Sequence, residues 1–469
     1  MNDISLSAQL AERLIDLQYD KLPDRVVGDT KTLFIDWFAS ALAGRNARPV
    51  QALKAFATTM GPDRGPSQLL PCRNGSSPYF AALVNAASSH VVEQDDLHNG
   101  SVFHPGTVVF PAVLAAGQAL GVSGRALIAA AVAGYETGVR SGEYLGRSHY
   151  KVFHTTGTAG TLAAAAGVAH LLNLSAPQFS HALGSAGTQA AGLWEFLRDA
   201  ADSKQLHTAK AAANGILAAY TARDGLTAAQ RILEGEQGLA AGLMGEANVE
   251  SMLNGWGERW AVSETSFKFH ASCRHTHPAA DAMLAIVTDF DLSTDDIVQV
   301  RAYVYGAAID VLGAVVEPRN IHQSKFSMGF VLALIAARRS AAVTDFTEHA
   351  LHDPLLRRLH GCTEMIYDPD IDAAYPQQWS ARVEVDTADG RSLQHTVATP
   401  KGDPDNALTR EEVETKTRSL AAFADGATRA EIDTIIAAVW QLENIDDIND
   451  ALRLPPPNAS PATRRAIPA

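Results

Sequence analysis

Apolar residues recur every three or four positions from Leu6 to about Trp260, and glycine, proline or asparagine separates one such stretch from the next. This spacing is typical of helices with one buried face, so it predicts a succession of helices. The predicted helices lie near 26–43, 50–59, 79–92, 107–120, 124–138, 158–172, 175–187 and 204–223. Their dense alanine and glycine content allows close helix packing, which favours one compact all-α bundle.

The pattern changes after Ser266. Apolar and polar residues alternate in 297–304, which predicts a strand, and 363–367 is a second strand candidate. Two further candidates, 382–386 and 392–397, flank an Asp-Gly step that is typical of a hairpin turn. Because helices are predicted at 278–289 and 326–338, this part of the chain has an α+β pattern.

A break at Gly402 returns the chain to a helical pattern. Predicted helices cover 409–423 and 429–440. The final residues, 454–469, contain three consecutive prolines and are predicted to be an unpacked tail.

The net charge of the chain limits which kinds of molecule it can bind. The chain has 38 basic and 52 acidic residues, which gives a net charge of −14. Such a surface argues against nucleic acid as a partner. A small anionic ligand would need a local cationic pocket.

The cysteines and the N-terminus indicate the compartment. Three cysteines lie far apart without a CxxC pair, which disfavours a disulfide framework and a structural zinc site. Asp3, Glu12 and Asp16 stand where a signal peptide would be basic or apolar. We therefore expect a cytoplasmic protein without a membrane partner.

The densest polar segment is 90–106. It contains Glu93, Asp95, Asp96, His98 and His104 beside His90, and it places general bases and potential metal ligands on one stretch of chain. An alternative is a polar helix end whose carboxylates cap and hydrate it. A metal site is a weaker interpretation, because the segment lacks HxH or HExxH spacing.

Two further clusters lie at predicted helix starts. His154 precedes an apolar helix, whose exposed amides would suit a carboxylate, although His154 alone is compatible with a simple turn residue. Lys204, His207 and Thr208 share one helical face through their spacing. The alternative for that face is a solvated basic surface.

A fourth cluster, 268–278, lies at the presumed junction between the two patterns. Lys268, Cys273 and Arg274 belong to it, together with three histidines. It supplies the local cationic patch that an acidic protein would need for an anion, and pockets are common at such junctions.

With these clusters the chain resembles the MmgE/PrpD family, which includes 2-methylcitrate dehydratases, cis-aconitate decarboxylases and an iminodisuccinate epimerase. The resemblance rests on five segments in family order: HVVEQDDLHNGSVFHPG, KVFHTTGTAGTLAAAA, SKQLHTAKAAANG, KFHASCRHTHP and KFSMGF. It implies a mainly α protein and a homodimer. A large all-α helical domain would comprise 1–265 and 403–453, and a smaller α+β lid domain, 266–402, would be inserted before the C-terminal helices.

The resemblance also implies site residues. The family's acid, two histidines and two cationic residues fall on Glu93, His104, His154, Lys204 and Lys268. The sequence departs from the family pattern in two places: it has glutamate instead of aspartate at 93, and it has one extra residue between Asp96 and His104. Decarboxylases carry threonine, histidine and tyrosine at three further positions, which are occupied here by Leu97, Cys273 and Phe330.

The chemistry common to the family starts at a C–H or C–CO2 bond next to a carboxylate, so the site must stabilise an enolate-like anion. We expect Lys204, Lys268 and Arg274 to hold substrate carboxylates, with His98, His207 and Cys273 completing the binding site. His104 and His154 are the predicted acid and base. Glu93 or Asp96 is expected to orient a histidine and raise its pKa.

These features predict a cofactor-independent hydro-lyase, without a metal, that acts on a di- or tricarboxylic hydroxy acid of the 2-methylcitrate type. Because Leu97, Cys273 and Phe330 differ from the decarboxylase pattern, a decarboxylase or epimerase is the alternative. A catalytically silent carboxylate-binding protein is a third possibility. The site is expected to form between the two domains and to close over the substrate. Alternatively, Arg274 and His277 serve only as polar contacts between the domains.

Overall fold

The computed structural model describes residues 5–199, 201–243, 247–313 and 315–456. Most of these residues are helical, which confirms the mainly α fold class. The α-helices within the described ranges are α1 (Leu6–Ile15), α2 (Asp24–Ala43), α3 (Arg48–Met60), α4 (Pro78–Val91), α5 (Gly106–Leu120), α6 (Gly124–Tyr150), α7 (Thr155–Leu171), α8 (Ala176–Gly187), α9 (Phe196–Asp199), α10 (Ser203–Arg223), α11 (Leu239–Leu243), α12 (His277–Asp289), α13 (Gly306–Leu312), α14 (Ile321–Ser324), α15 (Met328–Arg338), α16 (Glu348–His352), α17 (Pro354–Gly361), α18 (Pro369–Ala374), α19 (Arg410–Ala422) and α20 (Arg429–Trp440).

Short strand pairs and one sheet complete the described secondary structure. The strands are β1 (Ser67–Gln68), β2 (Gly75–Ser76), β3 (Leu97–His98), β4 (Thr265–Ser266), β5 (Ile297–Val304), β6 (Thr363–Tyr367), β7 (Ala381–Thr387) and β8 (Ser392–Val397). β1 pairs with β2, and β3 pairs with β4. The sheet has the order β6-β5-β7-β8, in which β5 and β6 are parallel and the other pairs antiparallel. Its β7–β8 hairpin turns at Gly390, which has a φ of 86°.

Helix α6 is longer than the sequence predicts. The pattern ends the helix at Gly138, whereas in the structure it continues past Gly138 and reaches Tyr150 after a break at Gly146, which has a φ of 69°. The glycine serves packing, because a Cβ at Gly138 would lie 2.4 Å from a ring carbon of Phe103 and 2.7 Å from Ala163 of α7. A glycine read as punctuation is therefore a point of close contact between helices.

The helices α6, α7 and α10 form the part of the bundle that supports the site. Helix α7 packs against both α6 and α10. A Cβ at Gly215 would lie 2.4 Å from Ala164 Cβ, so glycine allows α10 to approach α7 closely. At the N-terminal end of the same pair, a Cβ at Gly157 would lie 3.2 Å from His207 Cβ. The N-terminal ends of α7 and α10 therefore lie together.

The buried apolar residues fall into two clusters. One draws on α1 to α8, α10 and the returning helices, and the other packs α12 and α15 beside the four-stranded sheet. Leu97 and Val102, from the segment after α4, belong to the second cluster. The domain boundaries at 265 and 402 and the lid stay predictions.

The end of the described chain is packed. Leu454 is buried, and its backbone exchanges two hydrogen bonds with the amide side chain of Gln68. The predicted tail therefore begins later than expected, and residues 457–469 lie outside the described part. Among the described helices, none combines the length and apolar character needed to cross a bilayer.

Candidate active site

The segment that follows α4 turns sharply and buries its acids. Glu93 has a φ of 56°, a left-handed conformation that is uncommon for residues other than glycine. The turn carries Glu93, Asp95 and Asp96 into the protein, where each is at most 3% exposed. Strained conformations of this kind persist where surrounding contacts hold them, and they are frequent at functional sites.

Glu93 binds two lysines from different parts of the chain. Lys204, in the first turn of α10, donates to Glu93 Oε1, and Lys268 donates to Oε2 at 2.8 Å. Burial raises the pKa of Glu93, but Lys204 and Lys268 outweigh burial and hold that pKa well below its usual range. Glu93 is therefore a carboxylate that joins both lysines.

Asp95 orients two histidines. Its Oδ2 lies 2.9 Å from Nδ1 of His90 and 2.7 Å from Nδ1 of His104. His104 Nδ1 also lies 2.7 Å from the backbone carbonyl of Asp96. Both rings therefore carry the Nδ1 hydrogen, which leaves each Nε2 as a potential base.

The acid that orients the histidines differs from the two that the sequence predicts. Asp95, rather than Glu93 or Asp96, binds the histidine rings, and the histidine pKa values are lowered rather than raised. Burial lowers the pKa of His104 more than Asp95 raises it, and burial with Lys204 lowers the pKa of His90 to about 3. Both imidazoles are neutral at pH 7.

Asp96 has a different environment from its neighbour. It accepts hydrogen bonds from the Tyr135 hydroxyl at 2.5 Å and from the Gly106 amide at 2.9 Å. A Cβ at Gly106 would lie 2.8 Å from Asp96 Oδ1, so only glycine permits this approach. Burial, and then Asp95, raise the pKa of Asp96 to about 8, although Tyr135 opposes the change. Asp96 is thus largely protonated at pH 7.

His154 and His207 form a second imidazole pair at the joined ends of α7 and α10. Their Nδ1 atoms are 3.3 Å apart, so one donates to the other. Burial lowers the pKa of His154, with contributions from His90, His207 and Lys204. His154 Nε2 is buried without a hydrogen-bond partner, and the ring centroid lies 6.4 Å from that of His104.

Arg274 does not join the Glu93 cluster, the group formed by Glu93, Asp95 and the lysines around them. Its guanidinium pairs with the buried Asp403 and also lies 3.2 Å from His277 Nδ1. Ser266 and Asn99 donate to the same carboxylate oxygen. The structure therefore gives Arg274 a protein carboxylate as partner, and the expectation that Arg274 holds a substrate carboxylate stays a prediction.

Two other predicted binding residues have different surroundings. His98 Nδ1 contacts the Ser101 hydroxyl at 2.9 Å, and its Nε2 lies 3.5 Å from Glu264. Cys273 is buried, and burial with Glu93 raises the pKa of its thiol to about 11. The thiol is neutral at pH 7, and its role at the site stays a prediction.

One group of potential metal ligands exists among the described residues. Ligand atoms of His90, Asp95 and His104 lie within 4.8 Å of one another. However, His104 Nδ1 must carry a hydrogen to bind the carbonyl of Asp96, and Lys268 Nζ is 3.8 Å from Asp95 Oδ1. A metal ion bound by Asp95 and the two Nδ1 atoms would replace their hydrogens and lie near an ammonium, so these contacts fit a hydrogen-bonded triad better than a metal site.

A cleft of about 930 Å³ opens beside this site. Its lining includes Tyr150, Trp194, Asp310 and Tyr375 but none of the acids, histidines and lysines described above. The Trp194 ring lies 4.7 Å from the His154 ring, measured between centroids. The cleft therefore ends one aromatic ring away from the histidines.

Sequence reasoning assigned no role to three residues of the site. His90 and Asp95 stand in the segment that it singled out, and their five-residue separation across a helix end conceals their contact. Lys325 Nζ reaches the backbone carbonyl of Val92 at 2.6 Å from the segment between α14 and α15. Lys325 opens the KFSMGF segment that supports the family resemblance, but the segment by itself does not indicate which group the lysine contacts.

Known families account for nearly the whole chain. The MmgE/PrpD N-terminal domain matches residues 8–252, and the MmgE/PrpD C-terminal domain matches residues 270–442. Together they cover most of the sequence, and the chain belongs to the MmgE/PrpD family.

Similar proteins extend over the full length. The chain is 25% identical over 474 residues to a cis-aconitate decarboxylase-like protein, oryM, of Aspergillus oryzae, which covers 96% of this chain and 97% of that protein. It is 25% identical to a cis-aconitate decarboxylase of Aspergillus terreus, with 96% of each protein covered. A human cis-aconitate decarboxylase is 24% identical, with 95% of this chain and 93% of that protein covered.

Proposed function

We propose that this protein is a lyase for a small di- or tricarboxylate and that it decarboxylates a substrate of the cis-aconitate type. The observation that carries the proposal is the buried contact of Glu93 with Lys204 and Lys268, next to His104 and His154. The named activity of the similar full-length proteins supports decarboxylation over the dehydration expected from sequence.

The proposed reaction needs cations and a proton donor. When CO2 leaves a carbon next to a double bond, its electron pair spreads through the double bond onto a neighbouring carboxylate. Buried ammonium groups stabilise that charge more strongly than water does. A proton then returns to carbon at the far end of the former double bond, and the product is an unsaturated dicarboxylate.

We place the proton donor at His154. If His207 donates its Nδ1 hydrogen to His154, then the single N–H of neutral His154 is on Nε2, the atom without a protein partner. An anionic substrate beside His154 would raise its pKa and favour its protonation. His104 has the opposite tautomer, with a free Nε2 suited to removing a proton.

Dehydration of a hydroxy acid is the second candidate, and Cys273 favours it. Its neutral thiol stands where decarboxylases of the family carry an imidazole. In this reaction His104 would remove the proton next to a carboxylate, and His154 would protonate the departing hydroxyl. The predicted homodimer and cytoplasmic location are further proposals.

Product NMR in deuterated water tests these candidates. Purified protein is incubated separately with cis-aconitate, 2-methylcitrate and citrate. We expect release of CO2 from cis-aconitate and one deuterium at the protonated carbon. A conjugated alkene from a hydroxy acid would favour the hydro-lyase, and exchange with inversion at a chiral carbon would indicate an epimerase. No reaction with a broad panel of carboxylates would contradict the lyase assignment.

A further inference from the structure

Three buried lysines surround the turn at Glu93, and one of them lacks a carboxylate partner. Lys204 and Lys268 both bind Glu93, whereas Lys325 Nζ donates to the neutral carbonyl of Val92 at 2.6 Å. Lys325 is 5% exposed. Within the described part of the chain, no carboxylate oxygen forms a salt bridge with it.

The charges of this cluster do not balance. Lys204, Lys268 and Lys325 supply three ammonium groups, and Glu93 and Asp95 supply the two carboxylates with strongly lowered pKa values. The neighbouring Asp96 is largely neutral, because burial and then Asp95 raise its pKa to about 8. One positive charge therefore has no counterion.

Two nearby cations, the partly buried Lys416 and the buried Arg274, differ from Lys325 in this respect. Lys416 Nζ lies 2.6 Å from Asp36 Oδ1, and Arg274 pairs with Asp403. A buried charge without a partner is unfavourable, so proteins usually pair it or neutralise it. Burial lowers the pKa of Lys325 to about 8, with Glu93 opposing and Lys268 and Lys204 assisting, which leaves the ammonium mostly charged at pH 7.

Lys325 is the lysine of this cluster that can bind a further anion. Its ammonium carries three hydrogens, and the Val92 carbonyl accepts one. The Phe346 ring, with its centroid 5.5 Å away, covers another side without neutralising the charge. An incoming carboxylate would thus gain a charged hydrogen bond without breaking the two bonds of Glu93.

We propose that Lys325 binds one carboxylate of the substrate and that this carboxylate is its missing counterion. The proposal rests on the proposed function and adds a residue to its binding site. Lys325 lies beside the sheet-containing cluster and contacts the segment after α4, so the bound carboxylate would join the two sides of the site. Lys204 and Lys268 then remain with Glu93 and act on the charge that develops during the reaction.

Titration calorimetry with tricarballylate tests the proposal. This saturated tricarboxylate has neither a double bond nor a hydroxyl group, so it cannot react. We expect the wild-type protein to bind it and Lys325→Met to bind it roughly 10- to 100-fold more weakly, as for loss of a charged hydrogen bond. Lys325→Arg should retain most of the affinity because it keeps the charge.

Lys210→Met is the matched control. Lys210 Nζ also donates to a backbone carbonyl, that of Gln189 at 3.2 Å, but it lies outside the cluster. Its loss should leave tricarballylate affinity unchanged. Equal affinity of the wild-type protein and Lys325→Met would overturn the role of Lys325 while leaving the lyase assignment intact. If the wild-type protein neither binds tricarballylate nor reacts in the NMR assay, both proposals are wrong.

Chemical labelling keeps the proposal testable if Lys325→Met does not fold. Wild-type protein is acetylated with limiting acetic anhydride, with and without tricarballylate, and modification at each lysine is followed by mass spectrometry. We expect tricarballylate to slow acetylation of Lys325 at least tenfold and to leave Lys210 unaffected. Equal rates at Lys325 in both samples would contradict the proposal.

Discussion

Two buried sets of cations and carboxylates, each with a cation from the segment 268–274, differ in charge balance. Arg274 and Asp403 form a matched pair, and Ser266 and Asn99 satisfy the same carboxylate oxygen. The Glu93 cluster instead combines two carboxylates with three lysines and neutral histidines. A matched pair completes the fold, whereas an unmatched cluster is suited to an anionic ligand.

Removal of Lys204 should have the largest effect on activity. We expect Lys204→Met to lower kcat about 1,000-fold, because a preorganised cation would be lost from the developing charge. Glu93 keeps its bond to Lys268 at 2.8 Å, so the folded state should persist. Steady-state kinetics and circular dichroism measure both effects, with Lys210→Met as the control on the same helix. An unchanged kcat would remove Lys204 from the mechanism.

Removal of Arg274 should instead affect stability. Arg274→Met leaves the Asp403 carboxylate buried without its cation, and we expect the free energy of unfolding to fall by about 3–4 kcal/mol. Urea unfolding measures this change. The double variant Arg274→Met, Asp403→Asn should recover part of the loss. If Arg274→Met were as stable as the wild-type protein but failed to bind tricarballylate, the prediction that Arg274 holds a substrate carboxylate would be supported.

Acid should destabilise the protein through His207, which lies beside the Glu93 cluster. Burial, then Lys210 and Lys204, lower the pKa of His207 to about 4, so the unfolded chain binds more protons than the folded one between about pH 4 and pH 6.5. Stability from neutral His207 is therefore present above pH 6.5 and lost as the pH falls. Between pH 7 and pH 5, His207→Gln should lose about 1 kcal/mol less of its unfolding free energy than the wild-type protein. Urea unfolding at both pH values checks this, and equal losses would contradict the lowered pKa.

The smallest expected effect concerns the edge of the matched pair. Asn99 Nδ2 donates to Asp403 Oδ1 at 2.9 Å, one of three donors to that oxygen. Asn99→Ala should lower the free energy of unfolding by about 1 kcal/mol and leave kcat unchanged. Thermal unfolding and steady-state kinetics test both statements. A large loss of activity would place Asn99, and with it the matched pair, in contact with the substrate.

Much of the fold follows from local pattern. The strand predicted at 363–367 and the helix at 429–440 occur with those bounds. Patterns of this kind depend on neighbours within one element, which the sequence displays directly. The length of α6 did not follow, because Gly138 is required by Phe103 and Ala163, which are distant in sequence.

The residues of the site could be predicted from the sequence, but most of the contacts between them could not. Sequence motifs identified Glu93, His104, His154, Lys204 and Lys268, which the structure brings together. They did not reveal which acid binds which base, because adjacent acids in one turn point in different directions. That choice depends on tertiary contacts, as does the pairing of the arginine at the junction with a carboxylate 129 residues away.

A crystal structure with bound tricarballylate would test the central claim most directly, because it shows which cations an anionic ligand selects. The account predicts a carboxylate within hydrogen-bond distance of at least one lysine of the Glu93 cluster, with Arg274 still paired to Asp403. A ligand held by Arg274 instead, with no carboxylate near the three lysines, would contradict it.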